Sequence, residues 1–322
     1  MNHVVPWHAA GADAEFVIAH AREHALFGKA PVRFFLHPAK ATSSSPSARE
    51  SAIRPHRLAM TSVLSPARAS ALRCEHLENP VGLDESTPRF SWQLRDPRTG
   101  ARQSAYEIEV ISAGGSHLWT SGHIAGDDSL LIPYGGQKLR PHTRYFWRVR
   151  LWDHIGAVTP WSADAQWTTG FLGGRWPPSA KWIGMRVVEP KKSTPVRYLR
   201  SPGFELDSTP VAAHLHISAL GIFEAHVNGG KVGRDMLTPG WTDYRRRTEY
   251  LTYDVTAQVR AGRNALCVLL ADGWYAGKLG WHRQRRLYGP TPALLAAVRV
   301  VLADGSVRWI TRGRDWKVST GA

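Results

Sequence analysis

A chain of 322 residues with 43% hydrophobic content is long enough to bury the cores of two ordinary domains. Its two cysteines, Cys74 and Cys267, exclude a disulfide framework and a thiolate zinc or iron–sulfur centre. A formal charge of +15, from 41 Lys+Arg against 26 Asp+Glu, suggests a polyanion partner, yet arginine far outnumbers lysine and Ala, Gly and Pro abound, the bias a GC-rich coding sequence produces with no nucleic acid involved.

Residues 1 to 66 have scattered histidines, a serine-rich ATSSSPSARES and no sustained period of 2 or 3.6, so they read as a disordered or non-native extension. A short helix over AEFVIAHAREHALF fits the spacing of its apolar residues. Better-patterned sequence begins right after Met60, so one reading of residues 1 to 59 is an upstream extension from a misplaced start, which sequence alone does not decide. No run of bilayer length and no secretory-type apolar stretch occurs, so the chain reads as cytoplasmic with no membrane partner.

Residues 67 to 175 carry short strands separated by Gly, Pro, Asn and Asp clusters, the spacing of an all-β sandwich. AYEIEVIS alternates strictly, and RYFWRVRLWD puts Tyr145, Trp147, Val149 and Leu151 on one face. Trp92, Trp147 and Trp167 are expected between the sheets. LRPHTRYFWRVRLWD, a Gly turn and PWSADAQW resemble the F and G strands of a fibronectin type III sandwich. That resemblance makes Tyr145 the corner tyrosine, its hydroxyl bonding to backbone near Leu139.

GGRWPPSAKW, residues 173 to 182, interrupts the pattern and marks a boundary. A second all-β unit, residues 176 to 322, follows with strands such as AAHLHISAL, GIFEAHVNG, TEYLTYDVT, NALCVLLAD and PALLAAVRVVLAD. Asn228-Gly229 and Asp304-Gly305 are hairpin signals. His214 and His216 share one strand face, a spacing that fits a metal but more commonly a solvated edge.

LRCEHLENPVGLDESTPRFSWQL, RYFWRVRLWDHIG, YLRSPGF, HVNGGKVGRDMLTPGWTDYRRRTEYLTYDVT, ADGWYAGKLGW and YGPTPALLAAVRVVLADGS together resemble the N-terminal region of bacterial α-L-rhamnosidases, over about residues 70 to 322. The resemblance implies two tandem β-sandwiches, fibronectin type III or immunoglobulin-like and then a jelly roll. Members of the family are inverting glycoside hydrolases that release terminal α-L-rhamnose. Their catalytic acid and base lie in an (α/α)6 barrel beyond the position of DWKVSTGA, so no residue here inherits either role. Catalysis by these residues alone is not expected; the implied partners are a rhamnose-containing carbohydrate and that barrel.

The residues themselves agree on catalysis. Inverting hydrolysis needs two carboxylates about 6.5 to 9.5 Å apart. The local candidates are Asp127-Asp128, Asp235 with Asp243, and Asp272 near Trp274; Asp127-Asp128 lies in a GDDS turn, and Asp243, like Asp254, sits in a turn-like or strand-end context beside threonine. No phosphate-loop, HExxH, CxxC or GxSxG motif occurs.

Sugar sites on β-sandwiches set a ring against the apolar face of a pyranose and short polar groups against its hydroxyls. Trp241, Asp243 and Tyr244 in PGWTDY, and Asp272, Trp274, Tyr275 and Trp281 in ADGWYAGKLGW, lie in Gly-flanked loops and are the candidate substrate-binding residues. Packing against a neighbouring domain is the alternative use of the same rings. No cofactor is assigned; the family resemblance implies calcium as an option, since some family modules bind rhamnose with it, and Asp243, Asn228 or Asp272 offer oxygens. RRR at 245 to 247 and RQRR at 283 to 286 lie near aromatics, as in single-strand grooves. Their arginines alternate faces instead of lining one, and no nucleic-acid partner is expected.

Overall fold

The computed structural model describes residues 5–6, 65–184, 195–281, 284–311 and 315–320. Most of the expected extension, with its short helix, lies outside the described residues. Two pieces of it do not. Val5–Pro6 pairs antiparallel with Ile183–Gly184, and Ser65 is buried, its hydroxyl donating to Asp153 Oδ2 at 2.7 Å. No helix among the described residues is long and apolar enough to cross a membrane.

In the first sandwich the strand Arg144–Asp153 alternates as its sequence requires, with Tyr145, Trp147, Val149 and Leu151 buried and the residues between them half-exposed. It is flanked by Gln103–Ser112 and Ala165–Thr169, and the facing sheet holds Arg68–Cys74 and Arg89–Arg95. Trp92, Trp147 and Trp167 are all in the core, where Trp147 stacks on Phe90 at 4.4 Å and Trp167 on Tyr145 at 5.1 Å. Deleting one such ring costs about 3–5 kcal/mol. The Tyr145 hydroxyl accepts the Arg140 N–H at 2.8 Å, the expected corner bond one residue past Leu139. On the outer face Arg148 and Arg150 pair with Glu109 and Glu107 and both cover Trp161.

The second sandwich packs two antiparallel sheets. Ala212–Leu220 runs between Ala293–Val301 and Tyr250–Asp254 in one; Ile222–Val227, Leu266–Ala271, Arg197–Arg200 and Lys317–Ser319 form most of the other. Leu215, Ile217, Val298 and Val300 from the first meet Leu199, Val227, Val268 and Leu270 from the second. Asn228-Gly229 turns the chain from Ile222–Val227 into Gly230–Lys231, with Asn228 at φ 51°, and Asp304-Gly305 connects Ala293–Val301 to Val307–Ile310.

Between the sandwiches lies an aromatic joint. His142 and Phe171 from the first, Trp176 from the connecting segment, and His216, Tyr250 and Trp309 from the second form one cluster of rings with centroids 4.8 to 6.5 Å apart. The backbones must come close for this: a Cβ on Gly170 would overlap the Tyr250 hydroxyl and crowd the Asp84 carboxylate. Tyr250 accepts the Phe171 N–H at 3.3 Å, and Arg144 pairs with Asp254 across the boundary at 3.4 Å.

This placement corrects the reading of His214 and His216 as a solvated edge. They stand on the central strand, 6% and 1% exposed, because the first sandwich covers that face. Among the described residues no group of three or more His, Cys, Asp or Glu is placed to hold an ion.

Candidate functional site

The loop from Asp235 to Thr248 is pinned to the second sandwich at its start. Thr238 and Phe223 are joined by two hydrogen bonds, the Phe223 N–H donating to Thr238 O at 2.8 Å and the Thr238 hydroxyl donating to Phe223 O at 2.7 Å. After the cis Thr238-Pro239 bond, Trp241 swings outward, 48% exposed, while the Tyr244 hydroxyl donates back to Gly240 O at 3.0 Å. The Thr242 hydroxyl closes the turn on Arg247 O at 2.7 Å.

The second loop begins where Leu266–Ala271 ends. Asp272 precedes a single helical turn, Gly273–Ala276, which carries Trp274 outward and Tyr275 inward. Tyr275 fits only because Gly289 opposite it has no side chain; a Cβ there would collide with the phenol. Burial raises the Tyr275 hydroxyl above its ordinary value, so it stays neutral.

The fold thus brings the two candidate loops together. Trp241 and Trp274 lie parallel, 6.4 Å between centroids and 4° between planes. Tyr244 packs edge-on against Tyr275 at 5.3 Å and against Tyr288 at 5.1 Å, above a small core of Leu220, Ala276 and Ala293. Tyr288 comes from a third loop that sequence reasoning missed. It accepts the Trp241 indole N–H at 3.4 Å and lies under the Arg245 guanidinium at 5.4 Å. Its signal was YGP, a ring beside Gly and Pro like the other two clusters. Trp241 and Trp274 border a groove of about 930 Å³, whose other wall is Leu77–Val81 of the first sandwich and whose polar lining includes Asn79, Asp235 and Glu249.

The other candidates are placed differently. Trp281 is 99% exposed, and among the described residues no ring stacks on it. Asp243 accepts the Arg245 N–H at 3.2 Å and pairs with exposed Arg246 at 3.7 Å, which makes the arginine triplet a turn held by its own loop. Asp272 faces inward, 3.6 Å from the guanidinium of Arg197, a side chain with no exposure at all. Burial lowers the Arg197 pKa, against the attraction of Asp272 and with the repulsion of Arg286. Arg197 remains a buried cation that needs its carboxylate.

Two of the three oxygens offered for calcium, those of Asn228 and Asp272, do not converge. Asn228 and Asp272 follow opposite ends of paired strands, since Ile222 is opposite Ala271 and Val227 is opposite Leu266. Six strand residues at about 3.3 Å each separate them by roughly 20 Å. Asn228 is spent on the hairpin, donating to Gln258 O and Asn264 Oδ1 at 2.8 Å and accepting from Ala265 N–H at 2.9 Å.

A groove bordered by parallel indoles, with an amide and carboxylates along it, can stack a pyranose face and bind hydroxyls. A family model described as "Rha78A-like, N-terminal immunoglobulin domain" matches residues 69–173, and one described as "Alpha-L-rhamnosidase N-terminal domain" matches residues 208–322. An α-L-rhamnosidase of Streptomyces avermitilis is 30% identical over 80% of this chain and 41% of its own length; one of Formosa agariphila is 33% identical over 81% and 29%. Among solved structures, native α-L-rhamnosidase from Aspergillus terreus superposes with a TM-score of 0.72 and 34% identity, over 79% of this chain and 30% of that one. The S. avermitilis enzyme, complexed with L-rhamnose, gives 0.70 and 26% over 79% and 41%. The chain spans less than half the length of these relatives. By these matches it carries the two N-terminal domains of the α-L-rhamnosidase family, the immunoglobulin domain followed by the rhamnosidase N-terminal domain.

Proposed function

We propose that the chain serves as the non-catalytic N-terminal part of an α-L-rhamnosidase, recognising the rhamnose-containing glycoside and supporting a catalytic domain. The observation that carries this reading is the pair of parallel indoles, Trp241 and Trp274, at the border of the interdomain groove. The candidate acids support a non-catalytic role, because Asp243 holds its own turn and Asp272 faces Arg197. A second reading rests on Met236 at 84% and Leu237 at 56% exposure: together with Trp281 they offer apolar surface that a neighbouring domain would cover.

The test is a pair of assays on the purified chain. Incubated with p-nitrophenyl α-L-rhamnopyranoside it should release no more nitrophenol than buffer does, whereas calorimetric titration with methyl α-L-rhamnoside should give saturable heat. Turnover by the chain alone would overturn the non-catalytic assignment. Absence of binding, with the fold intact, would favour the docking surface over sugar recognition.

A further inference from the structure

The joint between the sandwiches contains more titratable groups than a purely mechanical contact requires. His142 and His216 meet at 5.1 Å between ring centroids, one from each sandwich, inside a shell of Phe171, Trp176, Tyr250 and Trp309. His216 Nδ1 lies 2.9 Å from Thr252 Oγ1, but its Nε2, and Nδ1 of His142, are buried with no hydrogen-bond partner among the described residues. A neutral imidazole can leave one nitrogen bare in such a place; an imidazolium has two N–H donors and a charge to satisfy.

We propose that this joint is an acid-sensitive latch, closed while His142 and His216 are neutral and released when they take up protons. The groups facing them permit little else. Arg299, on the strand beside His216, repels a second cation at both rings, and His214 adds to it. The joint's carboxylates are engaged elsewhere: Asp254 faces His214 and Arg144, and Asp84 faces Tyr250. Burial, reinforced by Arg299 and His214, pushes the His142 pKa from 6.5 down to about 4, and burial with the His142, His214 and Arg299 charges pushes that of His216 well below its ordinary value.

The sign follows from linkage. An imidazole whose pKa is depressed in the closed form binds protons more readily once the joint opens, so closure is fully favoured above about pH 6.5 and weakens as pH falls toward 4. The chain can give way here without unfolding, because each sandwich has its own core and the connection between them is the Gly- and Pro-rich 173 to 182 segment. Release would expose Phe171, Trp176 and Trp309 and change the groove beside Trp241, whose walls come from both sandwiches.

The experiment is small-angle scattering with tryptophan fluorescence on the whole chain, titrated from pH 7.5 to 4.5. The expected result is a larger radius of gyration and a red-shifted emission, with the far-UV β signal retained. His142→Phe, which keeps a ring but cannot take a proton, should weaken the transition. Arg299→Met should move it to lower pH, because the closed joint then tolerates a protonated ring better. The proposal is overturned if neither readout changes over that range, if both variants titrate like the wild type, or if the far-UV signal is lost at the same midpoint.

Discussion

At the joint, Phe171, Trp176, Tyr250 and Trp309 are packed on several sides by residues of both sandwiches, and the backbone approaches so closely that Gly170 admits no side chain. Around the loops, Tyr244, Tyr275 and Tyr288 form a comparable nest, yet Trp241 and Trp281 stand in solvent. Both regions are rich in rings, and the difference lies in what covers them. Rings covered by protein contribute their burial to cohesion, while rings left uncovered keep that gain for a partner. Glycine-flanked loops make the second arrangement possible, because they carry indoles beyond the sheet edge without committing a neighbouring strand to cover them.

The largest expected effect is at the floor of the loop cluster. Asp272→Ala strands the buried guanidinium of Arg197 and should cost about 3–5 kcal/mol by urea denaturation, with most of that loss recovered in the double variant carrying Arg197→Met. An unchanged denaturation midpoint combined with lost sugar binding would instead make Asp272 a ligand residue. Next comes the joint: Gly170→Val inserts atoms against Tyr250 and Asp84 and should destabilise by about 1–3 kcal/mol, splitting thermal unfolding into separate transitions for the two sandwiches. A single, unshifted transition would show that the sandwiches are not coupled through this contact.

A milder effect is a second acid limit inside the first sandwich. Burial raises the Asp153 pKa, but hydrogen bonds from Ser65, Arg98 and the Ala157 and Ile155 N–H groups outweigh it and hold the carboxyl at about 2. A depressed carboxyl stabilises above its unfolded value near 3.8 and loses that contribution as pH falls toward 2. First-sandwich stability should therefore decline below the range in which the joint opens, and Asp153→Asn should flatten that decline in a pH series of melting temperatures. The smallest effect is expected at Trp281, where replacement by alanine should change stability by no more than about 0.5 kcal/mol, whatever it does to binding.

Much of the interior was legible in the sequence, because period-2 alternation determines which side of a strand points inward. Tyr145, Trp147, Val149 and Leu151 could be assigned to one buried face for that reason, and the Asn228-Gly229 turn from its own chemistry. The joint was not legible. Alternation places His214 and His216 on one face but is silent on whether a second domain covers it, and their partners His142 and Phe171 lie far away in sequence. Asp272 was open to misreading for the same reason, since Arg197 is remote in the chain and arrives beside it only through the pairing of Arg197–Arg200 with Leu266–Ala271. The ring loops were legible singly. Their convergence, and the addition of Tyr288, depended on the sheet that carries them.

The measurement that bears most directly on this account is titration of methyl α-L-rhamnoside, followed by calorimetry at pH 7.5, into the wild type, Trp241→Ala and His142→Phe. The account predicts saturable binding in the wild type, its loss in Trp241→Ala with an unchanged melting temperature, and its retention in His142→Phe. Binding that survives in Trp241→Ala but disappears in His142→Phe would contradict it, because the joint would then be the contact surface and the exposed rings would not.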